Sequence, residues 1–321
     1  RANPRDFGAN TTADEVLDCL DLAGQRILVS GGSGGLGKEA ARALAARGAK
    51  LVLAARSEQK LAAARADIEA RVPAANIDTL VLDLASLAGV RSAAAEFLRR
   101  HDSLDVLIYN DGVMACPLAR TVDGLEMQFG VCHLGHFLFT GLLVPALLRG
   151  APARVVNLSS GGHQIADVDF EDHNYQQRDY DKWQSYWQAK SANVMFSLAL
   201  NQRLAARGFT RNAVHPGAIA ETDLSRHMQA EDFEALMAMQ PEGAQMTFKS
   251  LQAGAATSAW AASAPELEGR GGLYLEDCGV AGVNDSSETL GGYRSRALDP
   301  ARAEKLWDLS EQLVGQGFRW E

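Results

Sequence analysis

The chain has 321 residues, 47% hydrophobic and 22% charged, with 30 Gly and 9 Pro, which excludes disordered, collagen-like and coiled-coil classes. Its formal net charge of -9 argues against nucleic acid or an anionic membrane surface as the main partner, because both demand a basic face. Any phosphate site must therefore be local, and the length accommodates one large α/β domain with extensions.

Short β-prone runs alternate with helical patterns: 26–30 then 35–47, 51–55 then 58–71, 79–82 then 87–100, 106–109 then a long apolar helix through Leu148. The order resumes with a strand over 154–158, a helix over 183–207, a strand at 212–214, a helix near 248–262 and a strand over 272–275. The runs ILVS, LVLAA, DVLIY and RVVNLS read as strands buried on both faces. Right-handed crossovers then give a doubly wound parallel sheet of about seven strands, a single Rossmann-like α/β domain. Two stretches resist the alternation: 163–182 is polar and aromatic, and 220–247 carries four Met among acidic and amide residues. Both follow the C-terminal end of a strand, where ligands sit in an open α/β sheet, so they are expected to wall and cover a substrate site; surface insertion is the alternative.

Cys19, Cys116, Cys132 and Cys278 lie far apart with no CxxC pair, so neither a zinc site nor a disulfide framework is expected, and a reducing, cytoplasmic compartment is. The longest apolar stretch, 137–148, is shorter than the roughly 20 residues of a membrane span and contains Pro145, so a buried helix and no span are expected. The first residues lack a basic region followed by an apolar run, and the chain opens on Arg1, as a processed or trimmed chain would.

Directly after the first strand comes Ser30-Gly31-Gly32-Ser33-Gly34-Gly35-Leu36-Gly37 and then a helix. Gly31 permits a tight turn, Gly35 lets the backbone approach a pyrophosphate, and Gly37 lets the helix pack close with its N-terminal amides facing the anion. The spacing is G-x-x-x-G-x-G, without the Gly-Lys-Ser/Thr ending of a P-loop. Where an acid after the second strand would hold the ribose hydroxyls of NAD, the chain has Ala54-Ala55-Arg56. A guanidinium there pairs with a 2′-phosphate, and Lys38 adds a second cation, so NADP is the expected cofactor; the alternative is a solvated Arg opening the next helix. Asp83-Leu84, at the end of the third strand, is placed either to bond the adenine edge or to cap a helix.

Among six tyrosines only Tyr186 has a lysine four residues on, Lys190. On a helix the two share a face, and an ammonium there favours the phenolate, drawing a pKa of about 10 towards neutrality and making Tyr186 a general acid or base. The preceding strand ends in Asn157-Leu158-Ser159-Ser160, which brings a hydroxyl from Ser160 to the same crevice, either to orient a carbonyl oxygen or as a turn serine.

Over residues 21–275 the order SGGSGGLG, Arg after the second strand, DL, YNDG, HLGHF, NLSS, YxxxK and HPG resembles the short-chain dehydrogenases/reductases, and the wording of FGVCHLGHF and YWQAK is most similar to the retinol-dehydrogenase-like branch. The resemblance implies that Ser160 polarises a carbonyl, Tyr186 transfers the proton, and Lys190 holds the nicotinamide ribose and lowers the Tyr186 pKa. It also implies a cofactor lining of Gly31, Ser33, Gly35, Leu36, Gly37, Arg56, Asp83, Leu84, Asn110, Pro216, Gly217 and Ile219. On this reading 1–20 and 281–321 are extensions, the latter helical, around a catalytic domain over 21–280. Three positions depart from the family pattern. Asp111 replaces the alanine of Asn-Asn-Ala-Gly, Cys132 replaces the asparagine that helps hold a proton-relay water, and Thr222 sits one place late after His215-Pro216-Gly217.

Cys132 with His136 as a nucleophile pair is disfavoured, because both lie in an apolar helix where a packed thiol is ordinary. Trp183 and Trp187 flank Tyr186 and read as an apolar substrate wall or as simple packing. The main expectation is an NADP-dependent carbonyl reductase or dehydrogenase acting on a hydrophobic ketone, aldehyde or secondary alcohol, with a homo-oligomer allowed. The rival is a nucleotide-binding regulator on the same fold whose turnover is impaired by Asp111 and Cys132.

Overall fold

The computed structural model describes residues 6–238, 247–286, 289 and 291–320. In chain order its elements are α1 (Ala13–Val16), β1 (Arg26–Ser30), α2 (Gly35–Ala45), β2 (Lys50–Ala55), α3 (Glu58–Arg71), β3 (Asn76–Val81), α4 (Leu87–Arg100), β4 (Val106–Tyr109), α5 (Met127–Phe129), a π-helical turn (Gly130–Leu134) and α6 (Gly135–Arg149). There follow β5 (Ala153–Leu158), α7 (Lys182–Leu204), β6 (Phe209–His215), α8 (Ala230–Ala238), α9 (Leu251–Ser263), β7 (Tyr274–Glu276), β8 (Gly279–Val280) and α10 (Pro300–Val314). Helix starts follow local chemistry: Ser57, Ser86, Asp181, Ser250 and Asp299 each accept a backbone N–H in the first turn of α3, α4, α7, α9 and α10.

The strands form one sheet in the order β3-β2-β1-β4-β5-β6-β7-β8, parallel from β3 to β7. This is the expected doubly wound α/β arrangement with one more strand, β8, which runs antiparallel to β7. The turn between them places Asp277 and Cys278 at φ 49° and 56°, a geometry that asparagine and glycine usually supply, so the hairpin has no sequence signature.

Alternate residues of each strand feed the two faces. Leu28, Val52, Leu107 and Val155 pack under α4, α6, α7 and α10, and Ile27, Leu51, Val106 and Val156 pack under α2 and α9. Ala13 and Leu17 are fully buried in the second layer, and Trp307 of α10 meets the rings of Phe137, Phe196 and Trp320 in the first. The apolar helix is longer than the expected 137–148. With α5 and the π turn it runs without a break over Met127–Arg149, long and apolar enough to cross a membrane, and most of it is buried inside the domain.

The order reverses between β1 and β4, so the crevice beyond their C-terminal ends is where the loops after β1, β4, β5 and β6 converge.

Candidate active site

The loop after β1 turns at Gly31, φ 64°, and enters α2 at Gly35, φ 50°, both in the left-handed region open to glycine. A Cβ on Gly37 would fall inside contact distance of the Gly31 carbonyl and against the Asn110 amide, so Gly37 serves the closeness of helix to loop more than that of helix to sheet. The start of α2 has no side-chain cap, and Gly34 has open space around it. Unbonded amides at a helix start, on a loop that only glycine can form, fit the pyrophosphate of a dinucleotide.

Around that loop the expected lining residues take up distinct positions. Leu36 and Ile219 meet over Gly254 of α9, where a Cβ would press on both. Leu84 is buried, and its carbonyl backs against Gly135. Asp83 accepts the Ala85 amide at 3.0 Å within the turn, and the helix cap considered for it belongs to Ser86 at the start of α4. Pro216 leads into Gly217, φ 91°, over which the stem of Lys249 lies. Arg56 is exposed at the end of β2. Lys38 Nζ pairs with Asp67 of α3 at 2.9 Å.

Beyond β5, Ser160 Oγ accepts the Gly162 amide at 3.2 Å and also faces the Tyr186 hydroxyl. Lys190 Nζ donates to the Leu158 carbonyl at 3.1 Å and stands 5.5 Å from the centre of the Tyr186 ring. The structure thus brings together Ser160, Tyr186 and Lys190. One electrostatic expectation is overturned. Burial raises the Tyr186 pKa above its ordinary value, with Cys132 adding and Ser160 opposing, and burial also lowers that of Lys190, so the phenol is held protonated. A protonated phenol beside a serine hydroxyl can donate to a carbonyl oxygen and orient it.

Cys132 lies in the π turn, and its thiol contacts the N–H and C=O of Val113 at 3.5 Å each. A Cβ on Gly112 would stand 3.8 Å from both Cys132 Sγ and Lys190 Nζ, so the thiol is a neighbour of the ammonium. His136 Nδ1 bonds the Cys132 carbonyl rather than its sulfur, and burial raises the thiol pKa, which leaves no nucleophile pair. No metal-holding cluster occurs among the described residues.

The surroundings of Tyr186 are apolar. Trp183 and Trp187 stack at 6.0 Å and pack with Tyr186, Ala115 and Ala166, and Met114, Met228 and Leu236 close over them. Met228 and Leu236 come from 220–247, of which 239–246 lie outside the described residues. Lys182 of α7 and Asp232 of α8 form an ion pair that ties the cover to the catalytic helix. The stretch 163–182 is fastened to α5 and α7: Gln128 donates to the Tyr180 hydroxyl and the Lys182 carbonyl, and Asp169 N–H donates to Gln188.

Sequence reasoning missed several neighbours. Thr222, noted in the sequence as sitting one place late, was expected near the nicotinamide, and the structure sets it 3.7 Å from a Cβ on Gly35, over the glycine loop. Arg226, four residues on, faces Asp111 from the same segment. His163 accepts no such role from its position in the chain, yet its Nδ1 lies 2.7 Å from the Ser160 carbonyl and fixes that turn. No pattern marks these residues, since each reaches the crevice from an irregular loop.

The family model described as short chain dehydrogenase matches residues 25–232. Short-chain dehydrogenase/reductase prx1 of Penicillium roqueforti is 39% identical over 315 residues, covering 95% of this chain and 91% of that protein. Retinol dehydrogenase 13 of Mus musculus is 38% identical over 294 residues, covering 92% and 85%. Among solved structures, an uncharacterised protein from Mycobacterium paratuberculosis superposes with a TM-score of 0.73 at 33% identity, covering 97% of this chain and all of that one. The chain belongs to the short-chain dehydrogenase/reductase family of oxidoreductases and is retinol-dehydrogenase-like.

Proposed function

We propose that the protein is an NADP-dependent carbonyl reductase or alcohol dehydrogenase for hydrophobic ketones, aldehydes or secondary alcohols. The observation that carries this reading is the meeting of Ser160, Tyr186 and Lys190 beneath an apolar cover of Trp183, Trp187, Met114, Met228 and Leu236. A nicotinamide cofactor held along the glycine loop supplies the hydride chemistry. Gly31, Ser33, Gly35, Leu36, Gly37 and Asn110 hold its phosphates and ribose, Asp83 and Leu84 its adenine end, and Pro216, Gly217 and Ile219 its nicotinamide end. The Ser160 hydroxyl orients the substrate oxygen, Tyr186 donates its proton to that oxygen, and the stacked indoles exclude water. Lys190 holds the ribose and keeps the Leu158 turn in place. Four unpaired cysteines are in keeping with a reducing, cytoplasmic compartment.

A nucleotide-binding regulator is the second reading, favoured by the buried carboxylate of Asp111 in the crevice. Oxidation of NADPH with a panel of hydrophobic ketones separates the two: turnover supports the enzyme, and binding without turnover supports the regulator. Arg56→Ala is expected to weaken NADPH binding by about 1 to 3 kcal/mol and to spare NADH, as read by fluorescence titration. Equal losses for the two cofactors contradict the NADP assignment.

A further inference from the structure

Asp111 lies at the end of β4, with its backbone nitrogen 3.0 Å from where a Cβ on Gly31 would stand. Its side chain is directed into the crevice between β1 and β4. Oδ2 is buried and makes no hydrogen bond. The groups that face the carboxylate come from every surrounding element: the Ser30 hydroxyl and Gly31 amide from β1 and its loop, Arg56 from the end of β2, and Arg226 from the cover after β6. The Tyr109 phenol and the Cys132 thiol also feel its charge, and Lys190 lies beyond Gly112.

A bound dinucleotide of the class proposed above makes demands on the same donors. Its pyrophosphate needs the Gly31 loop amides, and a 2′-phosphate needs Arg56. An ionised Asp111 would then face anions, with its countercharges drawn away, in a site that has shed its water. Buried carboxylates in that position bind a proton. The carboxyl so formed gains an O–H donor that can serve the cofactor's oxygens.

We infer that cofactor binding is coupled to protonation of Asp111, so that one proton from solvent is taken up on its carboxylate as the dinucleotide enters and the affinity for NADPH falls as pH rises through neutrality. The inference rests on the dinucleotide reading of the crevice. It makes Asp111 a determinant of which cofactor is accepted and at what pH. In the free protein burial already pushes its pKa up to about 6, with Ser30, Arg56, the Gly31 amide and Arg226 opposing, and the anions and withdrawn countercharges of the bound state push it further in the same direction. The effect is larger for NADPH than for NADH, whose ribose hydroxyl leaves Arg56 with Asp111.

The test is binding, not turnover. NADPH is titrated into the parent protein, Asp111→Asn and Asp111→Ala from pH 6 to pH 8.5, with calorimetry at pH 7.5 in two buffers of different ionisation enthalpy. The 2′-phosphate itself titrates near about pH 6, so the reading is the difference between parent and variants. The parent Kd is expected to rise about tenfold more than that of Asp111→Asn between pH 6.5 and 8, with about one proton taken up only by the parent. Asp111→Ala, which restores the small side chain of the family, covers the case in which the amide variant does not fold. If parent and variants bind NADPH with the same pH dependence and the same proton count, the coupling is overturned and the dinucleotide reading stands. If the parent binds neither NADPH nor NADH, that reading fails and takes the coupling with it.

Discussion

Tyr186 and Lys190 were legible because four residues on a helix place two side chains on one face, a rule that needs no tertiary information. Their electrostatics were not legible. Burial raises the phenol's pKa, and that burial follows from the stacked indoles and the methionines packed on them and is written in no short motif. Lys38 shows the same limit, since its ion pair with Asp67 depends on how α2 and α3 pack. If Lys190 holds the ribose as well as the turn, Lys190→Ala weakens cofactor binding and lowers kcat together, whereas a lysine needed only by the proton step leaves Kd unchanged. Cys132 offers a second test. A carboxamide has both a donor and an acceptor for the Val113 backbone, so Cys132→Asn is expected to fold, to raise kcat and to leave KM nearly unchanged. A lower melting temperature with unchanged or lower kcat would mean instead that the thiol is core packing.

The strand–glycine loop–helix unit was readable at the scale of elements because its conformational demands fall on glycine. Gly37→Ala forces a methyl group against the Gly31 carbonyl, and a backbone atom cannot rotate away. It is expected to cost roughly 1 to 3 kcal/mol of stability and at least tenfold in dinucleotide affinity, measured by denaturant melts and by titration. The cover is a different case. Its position after β6 was legible from sheet topology, but the Lys182–Asp232 pair that fastens it was not, because 50 residues separate the partners. Lys182 and Asp232 are partly exposed, so breaking the pair costs only about 0.5 kcal/mol globally. The sensitive quantity is local. Asp232→Asn is expected to raise KM for bulky apolar substrates severalfold while kcat stays near the parent value, and an unchanged KM would detach α8 from substrate binding.

Across the whole molecule, the parallel sheet could be read from its apolar runs, and only β8 escaped because its turn uses Asp277 and Cys278 at positive φ. The buried histidines set an acid limit on the fold. Burial lowers His133 to about 3 and both His163 and His215 to about 4, and holds His136 well below its ordinary value. Below the unfolded value of about 6.5 the unfolded chain binds protons that the folded chain refuses, so each histidine removes up to about 1.4 kcal/mol per pH unit as pH falls. Asp111, Glu126 and Glu276 oppose this, since burial raises rather than lowers them, but they stand against seven lowered histidines, with His101, His173 and His227 shifted in the same direction as the four above. Melting temperature is therefore expected to fall steadily from pH 6.5 to pH 4.5, and a flat profile would contradict neutral buried imidazoles.

The central claim is that a protonated Tyr186 donates to a carbonyl oxygen held beside Ser160. Its most direct test is the kcat for NADPH-driven reduction of a hydrophobic ketone by the parent and by Tyr186→Phe, with NADPH affinity measured on the same preparations. Loss of a positioned general acid is expected to lower kcat by at least about 10²-fold while Kd for NADPH changes less than about twofold. A Tyr186→Phe protein that turns over within a few fold of the parent would contradict the account.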